Sequence, residues 1–137
     1  MLKKLFKISI FVFWFLVLIL NSDSLLGQQI NSADQKKIDE YKKLIEEYQN
    51  KDNKNKIQEN ANKLAFIYWQ NLHYEQAINY FEKSLALNKE LGNKNGVKLT
   101  NYYVGMIYSE KDEYGKAIRY FEKGVKLSKE LDKKGSL

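Results

Sequence analysis

Apolar residues recur along this chain in two stretches that match each other at an interval of forty residues. The first, YEQAINYFEKSLALNKEL, runs from Tyr74 to Leu91, and the second, YGKAIRYFEKGVKLSKEL, runs from Tyr114 to Leu131. The shared apolar residues include Ala77, Ile78, Phe81, Leu87 and Leu91 in the first stretch and Ala117, Ile118, Phe121, Leu127 and Leu131 in the second. A repeat at roughly 20 to 50 residues marks a stack of supersecondary units, each too small to bury its own apolar face.

Each matched stretch is the second helix of a predicted hairpin. The first helices run from Ile57 to Trp69 and from Val97 to Tyr108, and their apolar side chains are expected to point toward a core. Turns at residues 70–73 and 110–113 join the two helices of each hairpin. A left-handed C-cap is predicted at Gly92–Asn93, where the first hairpin ends.

An N-terminal capping helix precedes the two hairpins. It is predicted to begin at Ser32, whose hydroxyl caps it in a capping box completed by Gln35. Its apolar residues fall three or four apart and so share one face of the helix. They are Ile38, Tyr41, Leu44, Ile45 and Tyr48. Because this helix keeps the forty-residue register, we interpret it as a degenerate half-repeat, followed by a polar turn at residues 51–55.

Small residues mark the places where helices are expected to approach each other closely. They are Ala65, Ala77 and Ser84 in the first hairpin and Gly105, Ala117 and Gly124 in the second. Gly105 and Gly124 each cost a helix roughly 1 kcal/mol relative to Ala, so tight packing is expected to compensate. One aromatic layer is predicted in each hairpin, formed by Tyr68 with Phe81 and by Tyr108 with Phe121.

A basic start followed by an apolar run predicts a secretory signal at the N-terminus. Three lysines precede Ile8–Leu20, ISIFVFWFLVLIL, which spans about 20 Å as a helix against the roughly 30 Å of a bilayer core. We expect cleavage after Gly27, with the bond after Ser24 as the second choice, and therefore an exported, periplasmic or secreted protein. The alternative is an uncleaved N-terminal helix that tethers the protein to the membrane. In either case, we expect contact with the membrane only through this segment.

Composition and charge exclude several classes of function. The chain has 137 residues without cysteine or proline, which excludes a disulfide scaffold and a lipid anchor on cysteine. The net charge is +6. Because residues 1–27 hold three lysines and one aspartate, the remainder carries +4. Lysine and glutamate are interspersed, so we expect a solvated helical surface and no nucleic-acid partner.

Candidate catalytic and metal-binding residues are few. His73 is the single histidine and lies in a predicted turn, with no cysteine to join it as a ligand or nucleophile. Glu46 and Glu47 are adjacent on a helix, so their carboxylates point apart and do not form an acid and base pair. No glycine-rich phosphate loop follows a predicted strand. We therefore expect no enzyme activity, no metal site and no cofactor.

The repeated residues resemble the tetratricopeptide repeat. The resemblance rests on Ala77, Phe81, Gly105, Tyr108, Ala117 and Phe121, with Tyr74 and Tyr114 opening each second helix. It implies an all-α, right-handed α-solenoid of antiparallel hairpins, of the long-helix subclass found in exported bacterial proteins and in sensor parts of histidine kinases. The implied organisation is a signal peptide (1–27), a leader and capping helix (28–52), two repeats (53–92 and 93–132) and the start of a connector (133–137).

In this family the first helix of each hairpin lines a concave face that holds peptides or partner helices. The resemblance therefore implies a partner-binding face formed by Asn62, Phe66, Trp69, Gln70, Leu99, Tyr102, Tyr103, Met106 and Ser109. Trp69 and Tyr102 are expected to be exposed, whereas Phe66, Tyr103 and Met106 either join this face or pack between repeats. Because Phe66 and Tyr103 replace asparagines with which some relatives grip a terminal carboxylate, apolar and hydroxyl contacts are expected instead.

Two functions remain open from the sequence. The first is an exported, non-enzymatic scaffold that binds a protein or peptide, and the alternative is the sensor region of a two-component histidine kinase or a related signalling protein. The final residues, ELDKKGSL, resemble the connector before the second hairpin, so Val125 and Leu127 are expected to lack a neighbour. Either the sequence is a fragment of a longer protein, which we favour, or self-association buries this end.

Overall fold

The computed structural model describes residues 29–135, with side chains as far as Leu131. All of the described helices belong to one compact unit, which begins at Asn31. The predicted signal segment, residues 1–27, lies outside the described residues. The described part consists of helices and turns without strands, as predicted, and its helices are α1 (Ser32–Asn50), α2 (Lys54–Gln70), α3 (Tyr74–Glu90), α4 (Lys94–Glu110) and α5 (Tyr114–Gly135).

The connections between these helices are three-residue turns whose middle residue has a positive φ. These residues are Asp52, Leu72, Gly92 and Asp112, with φ of 47°, 61°, 67° and 58°. At the first hairpin's end, the Gly92 N–H donates to the Lys89 carbonyl (3.1 Å) and the Asn93 N–H to the Asn88 carbonyl (2.9 Å). This pair of bonds is a Schellman motif, so the predicted left-handed C-cap is confirmed. Helices α2, α3 and α4 have 17 residues each, which with these turns produces the forty-residue interval.

The cap of α1 differs from the predicted capping box. The helix does begin at Ser32, but Asn31 is its N-cap, and the Asn31 Oδ1 accepts the Asp34 N–H at 2.9 Å. The Gln35 amide donates instead to the Asp39 carboxylate at 2.9 Å. Asparagine caps helices as well as serine does, and at this position its longer side chain reaches the orphan N–H group.

The core runs through all five helices because each helix packs on its neighbours in the chain. Its buried apolar residues are Ile38, Ile45, Ile57, Ala61, Leu64, Ala65, Ile67, Tyr68, Ala77, Ile78, Phe81, Leu85, Val97, Val104, Ile107 and Ala117. A Cβ atom on Gly105 would lie only 2.7 Å from the Phe121 ring, and one on Gly124 would lie 3.4 Å from the Lys98 carbonyl oxygen. Close helix contact at both glycines is therefore confirmed.

The aromatic layers differ from the prediction. Tyr68 stacks on Tyr80 at 5.7 Å between ring centroids, and Tyr108 stacks on Tyr120 at 5.6 Å. Successive residues on a helix point about 100° apart, so Phe81, which follows Tyr80, faces away from Tyr68. The Tyr68–Phe81 and Tyr108–Phe121 layers predicted from sequence are thus wrong.

Two further features concern the ends of the described part. Helix α5 continues to Gly135, three residues past the predicted end of the second repeat. Within residues 29–135, every helix is too short or too polar to span a membrane.

Candidate interaction surface

Four rings form a continuous band across the two hairpins, which we call the aromatic face: Phe66 and Trp69 on α2 with Tyr102 and Tyr103 on α4. Phe66 stacks with Trp69 at 6.0 Å and meets Tyr103 edge to face at 4.9 Å. Tyr103 lies 6.3 Å from both Trp69 and Tyr102. Edge-to-face and offset contacts at these distances are favourable, so the rings hold one another in place.

Phe81 on α3 supports the aromatic face from beneath. Its ring is fully buried and lies 5.0 Å from Phe66, 5.5 Å from Tyr103 and 6.2 Å from Trp69. The second helix of the first hairpin therefore positions side chains from the first helices of both hairpins. The sequence singled out Phe81 as a core residue but not as the base of this surface.

Glu110 at the end of α4 fixes the orientation of Trp69. The Trp69 Nε1–H donates to the Glu110 carboxylate at 2.8 Å. Burial, together with the nearby Glu110 carboxylate, raises the pKa of Tyr74. Trp69 is consequently half-buried rather than exposed as predicted, because its indole N–H and ring both have partners within the protein.

Tyr102 and Leu99 are the most open apolar residues of the predicted partner-binding set. They are 51% and 46% exposed, so the exposure expected for Tyr102 is confirmed. Gln70 is also exposed, whereas the remaining members are half-buried: Asn62, Phe66, Trp69, Tyr103, Met106 and Ser109. The sequence left open whether Phe66 and Tyr103 join the partner-binding face or pack between repeats. Both residues pack between repeats and also keep partly exposed edges on this face.

Asn62 is the polar member of this set with an unsatisfied atom. Its Oδ1 is buried and has no hydrogen-bond partner among the described residues. An unpaired buried acceptor costs about 1–3 kcal/mol of stability.

The flank of α2 carries an ordered charge cluster. The Glu59 carboxylate pairs with Lys56 at 2.9 Å and with Lys63 at 2.8 Å. Hydrogen bonds from these two ammonium groups lower the pKa of Glu59 to about 2. The cluster is partly exposed, so its charges remain in contact with solvent.

A buried polar chain that the sequence did not reveal joins the two hairpins. Asn88 is fully buried; its amide donates to the Ser84 hydroxyl at 3.3 Å, and its Oδ1 accepts the Asn93 amide at 2.9 Å. Asn93 in turn caps α4 by accepting the Gly96 N–H at 3.0 Å. A Cβ on Gly96 would lie 2.2 Å from Asn88 Oδ1, so only glycine fits there. The sequence signal that could have revealed this chain is Asn88, a polar residue within the apolar stripe of α3.

The described residues offer little for catalysis. Residues 29–135 contain no group of three or more histidine, aspartate or glutamate side chains that could hold a metal ion. The His73 ring lies in the turn before α3, 6.2 Å from the Tyr68 ring.

Stacked hairpins, with small residues where their helices touch, correspond to a known repeat family. A model of the tetratricopeptide repeat matches residues 57–130, which is more than half of the chain. The chain belongs to the tetratricopeptide repeat family. No curated protein matches the chain. Tetratricopeptide repeats are typically non-enzymatic modules that support protein–protein interaction, and the matched residues include the whole aromatic face.

Proposed function

We propose that this tetratricopeptide repeat protein is a scaffold that binds a peptide or protein on its aromatic face. The observation that carries the proposal is the unbroken band of four rings across α2 and α4, with Tyr102 half exposed at its edge. Tyrosine and tryptophan are enriched at interfaces because they bury a large area at a small cost in rotamer entropy.

The chemistry of this surface favours a partner that presents apolar side chains together with polar groups at their edge. The rings supply apolar contact, and their hydroxyl groups supply polar contact at the rim. In the family, the first helices of the hairpins line the concave side of the solenoid, and α2 and α4 are those helices. The 17-residue helices support the long-helix subclass.

The test compares two exposed tyrosines. Tyr102 is 51% exposed on the aromatic face, and Tyr114 is 58% exposed at the start of α5. The full chain and its Tyr102→Ala and Tyr114→Ala variants are immobilised and used to capture proteins from the extracytoplasmic fraction. We expect one or more proteins to be lost by Tyr102→Ala, retained by Tyr114→Ala and identified by mass spectrometry.

Trp69→Ala provides a second arm of this test. It should also weaken capture, but with some loss of thermal stability, because it removes the bond to Glu110 and a half-buried ring. Capture that is unchanged in both Tyr102→Ala and Trp69→Ala would exclude the aromatic face as the binding surface.

Export of the protein is part of the same proposal. It is supported by the basic start and the apolar run Ile8–Leu20. Mass analysis of the exported protein is expected to show an N-terminus between Leu25 and Gln28, and retention of Met1 would contradict cleavage. A sensor role in a histidine kinase is the alternative, since a signal before forty-residue repeats is common to both. A downstream reading frame that encodes more repeats, a membrane span and a kinase would favour it.

A further inference from the structure

A groove of about 860 Å³ runs between the second helices of the two hairpins. Its sides are α3 and α5, and the first half of α4 lies between them. We call it the lysine groove, after four of the residues that line it: Lys89 on α3, Lys94 on α4, and Lys123 and Lys126 on α5. Ligand sites commonly have volumes of about 300–1,000 Å³, so the groove is large enough for a short peptide segment.

The lysine groove is separate from both the aromatic face and the outer side of the last hairpin. Among the described residues that line it, none belongs to the aromatic face. A helix after α5 would pack as α4 packs on α3, where Tyr103 lies against Phe81, and Phe121, the counterpart of Phe81, does not line the groove. Ala86 and Glu90 on α3 match two α5 residues that do line it, and both stay exposed although α4 packs on their helix. The groove is therefore formed by α3, α4 and α5 and stays open when a further helix packs on α5.

The lining of the groove combines apolar side chains with one unsatisfied polar group. Leu85, Val97 and Leu127 supply apolar contact. Asn101 also lines the groove; it is 2% exposed, and its Oδ1 has no hydrogen-bond partner among the described residues. Ala61 occupies this position one repeat earlier, so the fold itself does not require a polar group there. A few polar groups within a mainly apolar lining are typical of ligand sites.

The groove is positively charged, and most of its lysines lack partners. Four lysines and two glutamates line its described part, which gives it a net charge of +2. Lys89, Lys94 and Lys126 form no ion pair or hydrogen bond with another described residue. One repeat earlier, the same positions carry no net charge, because three lysines are balanced by three carboxylates: Lys42, Lys54 and Lys83 with Glu46, Asp52 and Glu90.

The first repeat shows which chemical group pairs with a lysine at the start of such a groove. Lys54, the counterpart of Lys94, pairs with the Glu90 carboxylate at 3.0 Å. Lys94 and Glu130 are the equivalent residues of the lysine groove, but among the described residues this pair is not formed. The groove thus keeps the cation of the pair in an open position, where a carboxylate from outside the chain fits.

Space and helix polarity favour the same kind of group. Ala86 stands where the first repeat has Glu46, so the lysine groove lacks both the bulk and the negative charge of that side chain. Helix α4 begins at the groove with Lys94, and its first turn contains no acidic residue. The positive end of a helix dipole favours negative charge nearby, and here the protein itself supplies none.

We propose that the lysine groove binds an acidic peptide segment of another protein. Carboxylates of the segment pair with Lys94 and Lys126, and an aliphatic side chain between them lies on the apolar lining. A nucleic acid suits the groove less well, because its closely spaced phosphates would meet the carboxylates of Glu82 and Glu130. This site is additional to the aromatic face, so the protein can hold two partners at once.

The test measures the binding of short labelled peptides to the full chain by fluorescence anisotropy at low salt. The probe is the peptide EELEE with blocked ends. Its controls are QQLQQ, which lacks the charges, and EESEE, which lacks the aliphatic side chain. We expect EELEE to bind with a Kd of ~0.1 mM and each control to bind at least about ten times more weakly. At ~1 M salt, most of the preference over QQLQQ should be lost.

Paired lysine variants of the chain locate the bound peptide. Lys94→Gln with Lys126→Gln should weaken binding of EELEE about tenfold, because both direct ion pairs are lost. Lys36→Gln with Lys43→Gln removes the same charge from α1 and should change binding by less than about twofold. All four lysines are exposed, so neither pair of substitutions should lower the melting temperature appreciably.

Ala86 and Glu130 provide a test of the groove itself, and both are exposed. Ala86→Glu restores the residue of the first repeat and should weaken EELEE binding about tenfold, whereas Ala86→Gln, which has the same size without the charge, should weaken it less. Glu130→Gln should tighten binding, because it removes a carboxylate of the chain that competes with the peptide for Lys94.

Several results would overturn the proposal. No binding of EELEE up to ~1 mM, or equal binding of QQLQQ, would show that the groove does not take an acidic peptide. An equal loss of binding in the two paired lysine variants would indicate long-range attraction without a site. Displacement of EELEE by free glutamate at the same concentration of carboxylate would make the groove a site for single small anions instead.

Tyr102→Ala separates this proposal from the aromatic face. It should leave EELEE binding unchanged, because Tyr102 does not line the lysine groove. If Tyr102→Ala abolishes EELEE binding and the Lys94 and Lys126 substitutions do not, the peptide lies on the aromatic face. That result would refute the lysine groove as a site while supporting the aromatic face.

Discussion

The burial of Phe81 predicts a specific asymmetry between two equivalent phenylalanines. Phe81 has no exposed surface and contacts three aromatic rings, whereas Phe121, at the same position of the next repeat, is partly exposed. Truncating a fully buried Phe to Ala costs about 3–5 kcal/mol, and each well-placed ring pair adds about 0.5–1.5 kcal/mol. We expect Phe81→Ala to lower the free energy of unfolding by about 4 kcal/mol or more, and Phe121→Ala by about 2 kcal/mol.

The assay is urea unfolding followed by far-UV circular dichroism at constant protein concentration. Because a small domain has only about 5–15 kcal/mol of stability, Phe81→Ala can unfold the chain altogether. Phe81→Leu and Phe121→Leu then provide the comparison. We expect both to lower the free energy of unfolding by less than the alanine variants do, and Phe81→Leu to lower it more than Phe121→Leu. If the two substitutions lower the free energy of unfolding by amounts that agree within about 0.5 kcal/mol, the reasoning is refuted. Equal losses would mean that the packing of α4 on α3 adds nothing to the contribution of Phe81.

Three further predictions of smaller size can be tested by thermal melts. Gly105→Ala should destabilise by about 1 kcal/mol, because overpacking against Phe121 at 2.7 Å outweighs the gain in helix propensity, whereas Gly115→Ala, with open space around it, should stabilise slightly. Leu72→Gly should stabilise by about 0.5 kcal/mol, because φ of 61° strains an exposed leucine more than glycine's added freedom costs; a lower melting temperature would contradict this. Glu59, with its pKa lowered from 4.5 to about 2, stabilises the fold above its ordinary pKa and loses that effect as the pH falls to about 2. Because its side chain is 44% exposed, Glu59→Gln should cost only about 0.5 kcal/mol at neutral pH and nothing near its folded pKa; a constant difference would argue against the ion pairs.

Different residue types occupy the middle position of the four turns, although the backbone there has the same conformation in each. Asp52, Leu72, Gly92 and Asp112 all adopt the left-handed conformation, although only glycine does so without strain. The Schellman bonds and the packing of the adjoining helices hold the other three residues there. Stacking of the hairpins thus imposes a backbone conformation that the local sequence would not choose.

The sequence alone determined the architecture of this protein. The forty-residue interval, the apolar stripes and the small residues at Ala77, Gly105 and Ala117 predict paired helices in a stack, because a periodic pattern of side chains needs a periodic set of contacts. It also indicated which helices would present aromatic residues, so the predicted partner-binding residues include all four rings of the aromatic face.

Only the tertiary structure decided how those side chains are used. The sequence does not show that Phe81 lies under three rings, that Glu110 holds Trp69, or that Tyr68 stacks on Tyr80. These contacts join residues on different helices, and their geometry depends on rotamers and crossing angles that a one-dimensional pattern does not contain. For the same reason, identical positions in the two repeats differ in exposure: the residue type comes from the repeat, and burial comes from what packs on it.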